Sequence, residues 1–232
     1  MTVKDLLKIS RARMQDIKGT DSQKFWADWE IVDDYANEAR TDLFTGVKGM
    51  VIDSSTANDG ADTPLPICVI PVVAGQGLYP VSSKVIAFKR VQTNTGLRPL
   101  KRMTMAELDA HNPNWLTLDP GEPYAYCTDY ETDALLLVPP PQVDGTATAT
   151  VSRYPLAPLI HTSPNDTLGF REEYHKDLIP KILALAFDKK DTEIYNPQLS
   201  ATYEAKFAER IDKIAIEVYR KNNGTHTNRY RP

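Results

Sequence analysis

Residues 113–126 read PNWLTLDPGEPYAY, with one tryptophan, three prolines and two tyrosines in fourteen positions. Neither a helix nor a regular strand accommodates this mixture, because each proline fixes its φ angle and removes a backbone donor. A glycine within the stretch favours a turn. The segment therefore predicts a rigid corner, whose tryptophan packs a preceding short helix onto a β-region and whose tyrosines begin the next strand. The residues assigned to this structural corner are Pro113, Trp115, Pro120, Gly121, Pro123 and Tyr124.

The segments on either side of the corner have the apolar pattern of strands. ICVIPVV (67–73) is β-branched and apolar, whereas TATATVSRYPL (146–156) alternates apolar and polar residues. YAYCTDY (124–130) and DALLLVPPP (133–141) predict a strand pair around a short polar turn. VIAFKRVQTNTGLRPLKRM (85–103) predicts a β-hairpin that turns at TNTG.

Local signals between these strands predict turns and one short helix. AGQGLYP (74–80) is rich in glycine and predicts a turn, and the polar stretch DSSTANDGADTPLP (53–66) predicts a loop. Thr104, followed three residues later by Glu107, has the spacing of a capping box. We therefore expect a helix of two turns over MAELDAHN, immediately before the corner.

Helical periodicity is confined to the two ends of the chain. Thr2 and Asp5 predict the start of a first helix that ends at Gly19. A second helix is predicted from residues 26–28 to Phe44. FREEYHKDLIPKILALAFDKK predicts a third helix, which a proline kinks or divides because the ring clashes with the preceding turn. NPQLSATYEAKFAERIDKIAIEVYRK predicts a long amphipathic helix with a proline in its first turn.

The order of helices, strands and helices, without alternation of single strands and helices, predicts the α+β class. We expect the N- and C-terminal helices to pack as a helical bundle (1–50 and 170–221). A mainly antiparallel β-rich domain (65–157) is inserted between them. Residues 222–232, which lack periodicity and carry basic and aromatic residues, are predicted to form an extended C-terminal arm.

The net charge of −4 conceals segments of opposite charge. Residues 84–102 contain six basic and no acidic residues, whereas residues 105–144 contain eight acidic residues and no lysine or arginine. Such blocks favour packing between copies of the chain, or a surface held away from nucleic acid. They are equally compatible with ordinary solvated faces. The chain also lacks a run of about 18 apolar residues, so no membrane span is expected.

Signatures of catalysis are absent from the sequence. It has no phosphate-binding glycine loop, no serine nucleophile elbow and no histidine or cysteine spacing for a metal, so no cofactor is expected. Cys68 and Cys127 are expected to be buried free thiols. One enzymatic alternative remains, a carbohydrate-acting (glycosidase-like) protein that uses Asp119 and Glu122 with Trp115 as a sugar platform. A ligand-binding monomer is a third hypothesis.

A colinear series of short motifs is more specific than any one of them. In order, it comprises IVDDYANEAR, GQGLYPVSSKVIAFKRV, LRPLKRMTMAELDAHNPNW, GEPYAY, ALLLVPPPQ, REEYHKDLIPKILALAF and DTEIYNPQLSATYEAKFAERI. Over residues 25–218, this series resembles the head-to-tail adaptor (connector) proteins of tailed bacteriophages, especially those of short-tailed phages.

The resemblance implies a structural virion protein rather than an enzyme. Members of that family form a ring, generally of twelve copies, beneath the portal. The ring extends the DNA channel and provides a platform on which tail components dock. The implied partners are the portal, tail or nozzle proteins and tail fibres, and DNA passes without sequence-specific binding. The implied location is the head–tail junction of the virion, after synthesis in the host cytoplasm.

The resemblance also gives roles to charged residues. In that family a C-terminal arm reaches the portal, and the matching residues here are Arg220, Lys221, Arg229, Tyr230 and Arg231. The opposed charge blocks are expected to meet across neighbouring subunits, since a ring contact joins different patches on the two sides. The candidate residues for these contacts are Lys89, Arg90, Arg98, Lys101, Arg102, Asp129, Glu131 and Asp133.

Overall fold

The computed structural model describes residues 1–14, 25–59, 65–94, 96, 98–190 and 194–223. The helices are α1 (Val3–Met14), α2 (Asn37–Gly46), α3 (Met105–His111), α4 (Ile179–Asp188) and α5 (Pro197–Asn223). The strands are β1 (Ile52–Asp53), β2 (Val69–Val72), β3 (Leu78–Pro80), β4 (Val85–Thr93), β5 (Lys101–Arg102), β6 (Ala125–Cys127), β7 (Ala134–Val138) and β8 (Gly145–Arg153).

The chain divides into two compact units. Met1–Val51 and Ala157–Pro232 form a helical unit, and Ile52–Leu156 form a β-rich unit. The predicted α+β class, with packed terminal helices and an inserted, mainly antiparallel β-region, is confirmed. The predicted arm falls largely on residues 224–232, which lie outside the described residues. Among the described helices, none combines the length and the apolar character that crossing a bilayer requires.

The predicted cap at the start of α1 is confirmed. The Asp5 carboxylate accepts a hydrogen bond from the Thr2 backbone nitrogen at 3.0 Å, and the Asp5 nitrogen donates to the Thr2 hydroxyl at 3.3 Å. This reciprocal pair satisfies backbone donors that a helix start leaves without partners. The predicted end of this helix at Gly19 lies outside the described residues, which reach Met14.

A feature absent from the prediction precedes α2. Residues Glu30–Ala36 form a π-helix that passes directly into α2, and together they bury the apolar face that the periodicity predicted. On the polar side, Asp33, Asn37 and Arg40 bind the extended segment 157–168. Asp33 accepts from the His161 nitrogen at 2.7 Å, and Asn37 both donates to and accepts from the Leu159 backbone.

The predicted junction within the third helical segment is confirmed. A 3₁₀-helix, Glu172–Leu178, ends where α4 begins, and Pro180 lies in the first turn of α4. A proline is tolerated there because the backbone donor that it lacks would have had no partner within the helix. α4 packs against α1, the π-helical segment and α5, and it is therefore buried around most of its circumference.

The β-rich unit contains two four-stranded sheets. In the first, β8 is central and entirely antiparallel to its neighbours: β4 pairs with it along one edge, and β1 and β2 along the other. The second has the order β3-β7-β6-β5, in which β5 is parallel to β6. Both sheets contribute to one apolar core.

In this unit one sequence prediction is wrong and another is correct only in part. β5 does not form a hairpin with β4, because the connecting chain crosses to the second sheet, where β5 pairs with β6. Leu100 is buried between the sheets at this crossing. The predicted turn over residues 74–80 is present at its start, where the Gln76 nitrogen donates to the Val73 carbonyl at 3.1 Å, but its last three residues form β3, which pairs with β7 and buries Tyr79. In both cases a tertiary contact overrides the local signal.

β7 explains why the sequence ALLLV is continuously apolar. All five of its residues are buried, because both faces of the second sheet are covered. Leu135 and Leu137 face the core shared with the first sheet, whereas Leu136 and Val138 pack against the side that carries α3 and Trp115. Alternation of side chains along a strand thus produces two apolar cores from one apolar run.

Candidate assembly surfaces

Trp115 holds the predicted corner against the second sheet. Its side chain is 4% exposed and packs in a cluster with residues of α3, β6 and β7. Its indole nitrogen Nε1 donates to Oδ1 of Asp109 at 2.7 Å, and its ring meets the edge of Tyr130 at a centroid distance of 5.8 Å. The indole therefore joins α3, the corner and the β6–β7 turn.

The rest of the corner is connected to the triple proline after β7. The Gly121 nitrogen donates to the Pro140 carbonyl at 2.8 Å, and the Tyr124 nitrogen donates to the Val138 carbonyl at 2.9 Å. Pro123 is buried, whereas Pro113 and Pro120 are exposed. The corner and the end of β7 are thus held together by backbone hydrogen bonds.

This geometry does not favour the glycosidase-like alternative. A sugar platform needs an exposed aromatic face, and the Trp115 ring is buried in the apolar cluster beside α3. Asp119 and Glu122 both lie exposed on the surface. A carboxyl group that acts as a general acid usually lies in an apolar or enclosed site. In the part of the chain that the structure describes, no group of three or more histidine, cysteine or acidic side chains is placed to hold a metal.

The acidic candidates for subunit contacts lie together in the turn between β6 and β7. Asp129, Glu131 and Asp133 are all exposed. Oδ1 of Asp129 accepts from the Cys127 thiol at 2.7 Å, and Oδ2 accepts from the Met105 nitrogen at 3.3 Å. These hydrogen bonds, that from the thiol first, lower the pKa of Asp129. The turn therefore presents a fixed negative charge.

The basic candidates are divided between the two sheets. Lys89 and Arg90 lie on β4 of the first sheet, Lys101 and Arg102 on β5 of the second, and Arg98 on the connection between them. All five are exposed. Arg102 lines a small cleft of about 160 Å³ together with Thr128 and Asp133. Part of the basic block therefore lies beside the acidic turn within the same subunit.

The last turn of α5 carries the first two candidates for portal contact. Arg220 is exposed, whereas Nζ of Lys221 donates to Glu173 at 2.8 Å and lies 5.3 Å from the centre of the Tyr174 ring. The hydrogen bond that Lys221 donates to Glu173 raises the pKa of Lys221. Asn222 donates to the Gly49 carbonyl at 3.1 Å. Arg229, Tyr230 and Arg231 lie outside the described residues.

Sequence reasoning missed the polar residues that surround Arg90 on the outer face of the first sheet. Gln92, Thr148 and Thr150 are its neighbours on that face. The alternation TATAT within β8 was the available signal, because threonine at every second residue places all three threonines on one side of a strand. What the sequence did not reveal was the partner strand that lies opposite them.

A family model described as the SU10 adaptor protein matches residues 1–231 of the chain. No curated protein matches the chain. The match includes both the helical and the β-rich units and agrees with the family that the colinear motifs indicated. Adaptors of this kind associate with portal and tail proteins at the head–tail junction of the virion. The chain therefore belongs to the SU10 adaptor protein family and is a structural head-to-tail adaptor of a tailed phage.

Proposed function

We propose that this chain is a non-enzymatic adaptor, of the type found in short-tailed phages, that closes into a ring of twelve copies beneath the portal. The ring extends the DNA channel and provides the surface on which tail or nozzle proteins, and tail fibres, dock. The observation that supports this proposal best is the family match over residues 1–231, which includes both the helical and the β-rich units.

Neighbouring subunits join through different patches, as a ring requires. On one side we place the exposed residues Arg98, on the connection between β4 and β5, and Lys101, on β5; on the other, Asp129 and Glu131 of the acidic turn. Arg102 is assigned to the cleft that it shares with Asp133 inside its own subunit. Exposed ion pairs each contribute little to the free energy of association. Such pairs therefore determine how neighbouring subunits are aligned more than how stable the ring is.

Charge exchange tests this interface. Lys101→Glu or Glu131→Lys alone places like charges opposite each other, and each is expected to reduce ring formation on portal particles. The double variant restores opposite charges and should recover assembly. Particles are counted and their symmetry measured by electron microscopy, with Lys213→Glu on α5 as a control for charge alone. Wild-type assembly by both single variants, or no recovery in the double variant, would argue against this pairing.

The C-terminal residues carry the portal contact. Arg220 begins a basic stretch that continues with Arg229 and Arg231, and Tyr230 supplies an aromatic anchor of the kind enriched at binding hot spots. Because Lys221 is held by Glu173 and Asn222 by Gly49, we assign those two residues to the end of the helical unit and not to the contact itself.

Removal of residues 224–232 tests the arm without disturbing α5, which ends at Asn223. The truncated protein should unfold at the wild-type temperature but fail to co-sediment with portal particles. Tyr230→Ala in the full chain should weaken binding in the same assay, whereas Tyr195→Ala, an exposed tyrosine in the connection before α5, should not. Undiminished co-sedimentation of the truncated protein would exclude the arm assignment.

A further inference from the structure

The outer face of the first sheet carries a row of hydrogen-bond donors. Arg90 on β4 lies directly opposite Thr150 on β8, and Gln92 lies opposite Thr148. Ser54, which follows β1, lines the same cleft from the other edge of β8. The cleft has a volume of about 210 Å³, and no carboxylate is among the residues described as lining it.

A β-bulge accounts for the exposure of the basic residues. Phe88 lies opposite Val151 and Arg90 opposite the adjacent Thr150, so Lys89 is an extra residue in β4. The bulge allows Phe88 and Val91, three positions apart, both to be buried, while Lys89 and Arg90 between them are exposed. Bulges of this kind redirect side chains at sheet edges.

The Arg90 guanidinium is held in place without a counter-charge. Its Nη2 donates to Oε1 of Gln92 at 2.7 Å, and the Gln92 amide in turn donates to the Gly96 carbonyl at 3.3 Å. Within the residues that the structure describes, no carboxylate pairs with Arg90. The remaining guanidinium donors are thus available beside the hydroxyls of Thr150 and Ser54, whereas the Thr148 hydroxyl donates to the Gln92 carbonyl at 3.3 Å.

This set of donors matches the oxygen atoms of a phosphate group. A guanidinium presents a planar fork that binds two oxygens of a phosphate, and threonine and serine hydroxyls commonly supply the additional donors. In a nucleic acid, such contacts are made to phosphate oxygens of the backbone and do not depend on the base sequence. We propose that this cleft binds a phosphodiester of double-stranded DNA independently of sequence.

The open form of the cleft favours a polyanion that passes over the sheet rather than an enclosed small anion. Lys89 lies beside Arg90 and extends the positive charge along the strand. The net charge of −4 means that the rest of the subunit repels the phosphates of DNA, so the contact is local and weak. A weak contact is compatible with DNA that moves along the surface. A role of this cleft in DNA passage depends on the proposed ring, whereas binding of a DNA duplex to the cleft does not depend on it.

Fluorescence anisotropy with a labelled 20-base-pair duplex, measured at several salt concentrations on the full-length protein, tests the site. Arg90→Gln should weaken binding about 3- to 10-fold and reduce the dependence of log affinity on log salt by about one. Arg90→Lys should retain part of the affinity, because it keeps the charge but loses the fork. Thr150→Val, which replaces the hydroxyl by a methyl group of similar size, should weaken binding to a smaller extent.

Arg13→Gln is the matched control, since Arg13 is an exposed arginine of α1 in the other unit. Equal affinities of the Arg90→Gln and Arg13→Gln proteins would overturn the proposal. Binding of pyrophosphate without binding of the duplex would reveal a site for free phosphate and exclude the nucleic acid. Unchanged duplex binding with defective assembly on portal would assign Arg90 to a subunit contact instead. Because the duplex assay needs no portal, a failure of ring formation alone leaves its result intact.

Discussion

The indole nitrogen of Trp115 lies 2.7 Å from the carboxylate oxygen Oδ1 of Asp109, to which it donates a hydrogen bond. Asp109 belongs to α3, and Trp115 belongs to the corner that follows. The indole ring is packed among residues of the second sheet, so this one side chain fixes both the end of α3 and the path of the chain into β6.

Substitution of Trp115 by alanine should lower the free energy of unfolding of the protein by about 3–5 kcal/mol, because a large buried ring is lost and a cavity remains. Trp115→Phe keeps most of the apolar contact but loses the hydrogen bond to Asp109, and we expect a loss of about 1–2 kcal/mol. Urea denaturation followed by circular dichroism measures both values.

The neighbouring residue provides the control for this prediction. Leu116 is 61% exposed, so Leu116→Ala should change the unfolding free energy by less than about 0.5 kcal/mol. A Trp115→Ala protein as stable as the Leu116→Ala protein would show that the corner is not held by the indole. The same stability would reopen the possibility that Trp115 is available to a ligand.

Features encoded by neighbouring residues were predictable from the sequence. The capping box of Thr104 and Glu107 depends on two residues three positions apart, and both of its hydrogen bonds are present. The proline at the start of α4 likewise acts on its own turn. Such signals are local, and they define where an element begins whatever the rest of the fold does.

Features that depend on distant partners were not predictable. Nothing in the sequence KRM (101–103) indicates that β5 pairs in parallel with β6, because the partner strand lies more than twenty residues away in the chain. The ion pair between Lys221 and Glu173 has the same origin, because the sequence marks Lys221 only as a basic residue and its partner lies 48 residues away. The family, by contrast, was recognisable because the order of motifs survives in the sequence without knowledge of their contacts.

Arg40 is expected to stabilise the helical unit through backbone contacts rather than an ion pair. The residue is 6% exposed, and its guanidinium donates to the Ala157 carbonyl at 2.8 Å and to Oδ1 of Asn37 at 3.0 Å. Burial lowers the pKa of Arg40 to about 10. Arg40→Met removes these donors and should lower the free energy of unfolding by about 2–3 kcal/mol.

Urea denaturation at pH 7 measures this loss. Arg40→Lys should recover only part of the stability, since an ammonium group cannot reproduce the planar fork that reaches both partners. Arg13→Met, the same change at an exposed position of α1, is expected to be nearly neutral. A neutral Arg40→Met would mean that water replaces the guanidinium between α2 and the segment after Ala157.

Both thiols should be unreactive in the folded protein. Burial raises the pKa of Cys68 to about 12 and that of Cys127 to about 11, so almost no thiolate is present at pH 8. Ellman's reagent should therefore titrate no thiol in the native state and two after denaturation in urea. Rapid native reaction of one thiol, identified with Cys68→Ser and Cys127→Ser, would contradict the burial of that residue.

His175 should make the helical unit less stable at mildly acidic pH. The residue is 4% exposed, its ring nitrogen Nε2 donates to the Phe170 carbonyl at 2.8 Å, and Nδ1 has no partner among the described residues. Burial lowers the pKa of His175 below its ordinary value of 6.5. In the window between the folded and the unfolded pKa, the unfolded chain binds more protons, so the free energy of unfolding falls as the pH drops below about 6.5.

Urea denaturation between pH 5 and 8 checks this dependence. His175→Gln keeps a donor for the Phe170 carbonyl but cannot titrate, so its stability should vary less with pH in this range even if it is lower at pH 8. Carboxylates such as Glu173, whose pKa is lowered by the hydrogen bond from Lys221, change protonation at more acidic pH. They therefore contribute little to the pH dependence of stability in this window. An identical pH dependence in the wild type and in His175→Gln would show that another group is responsible.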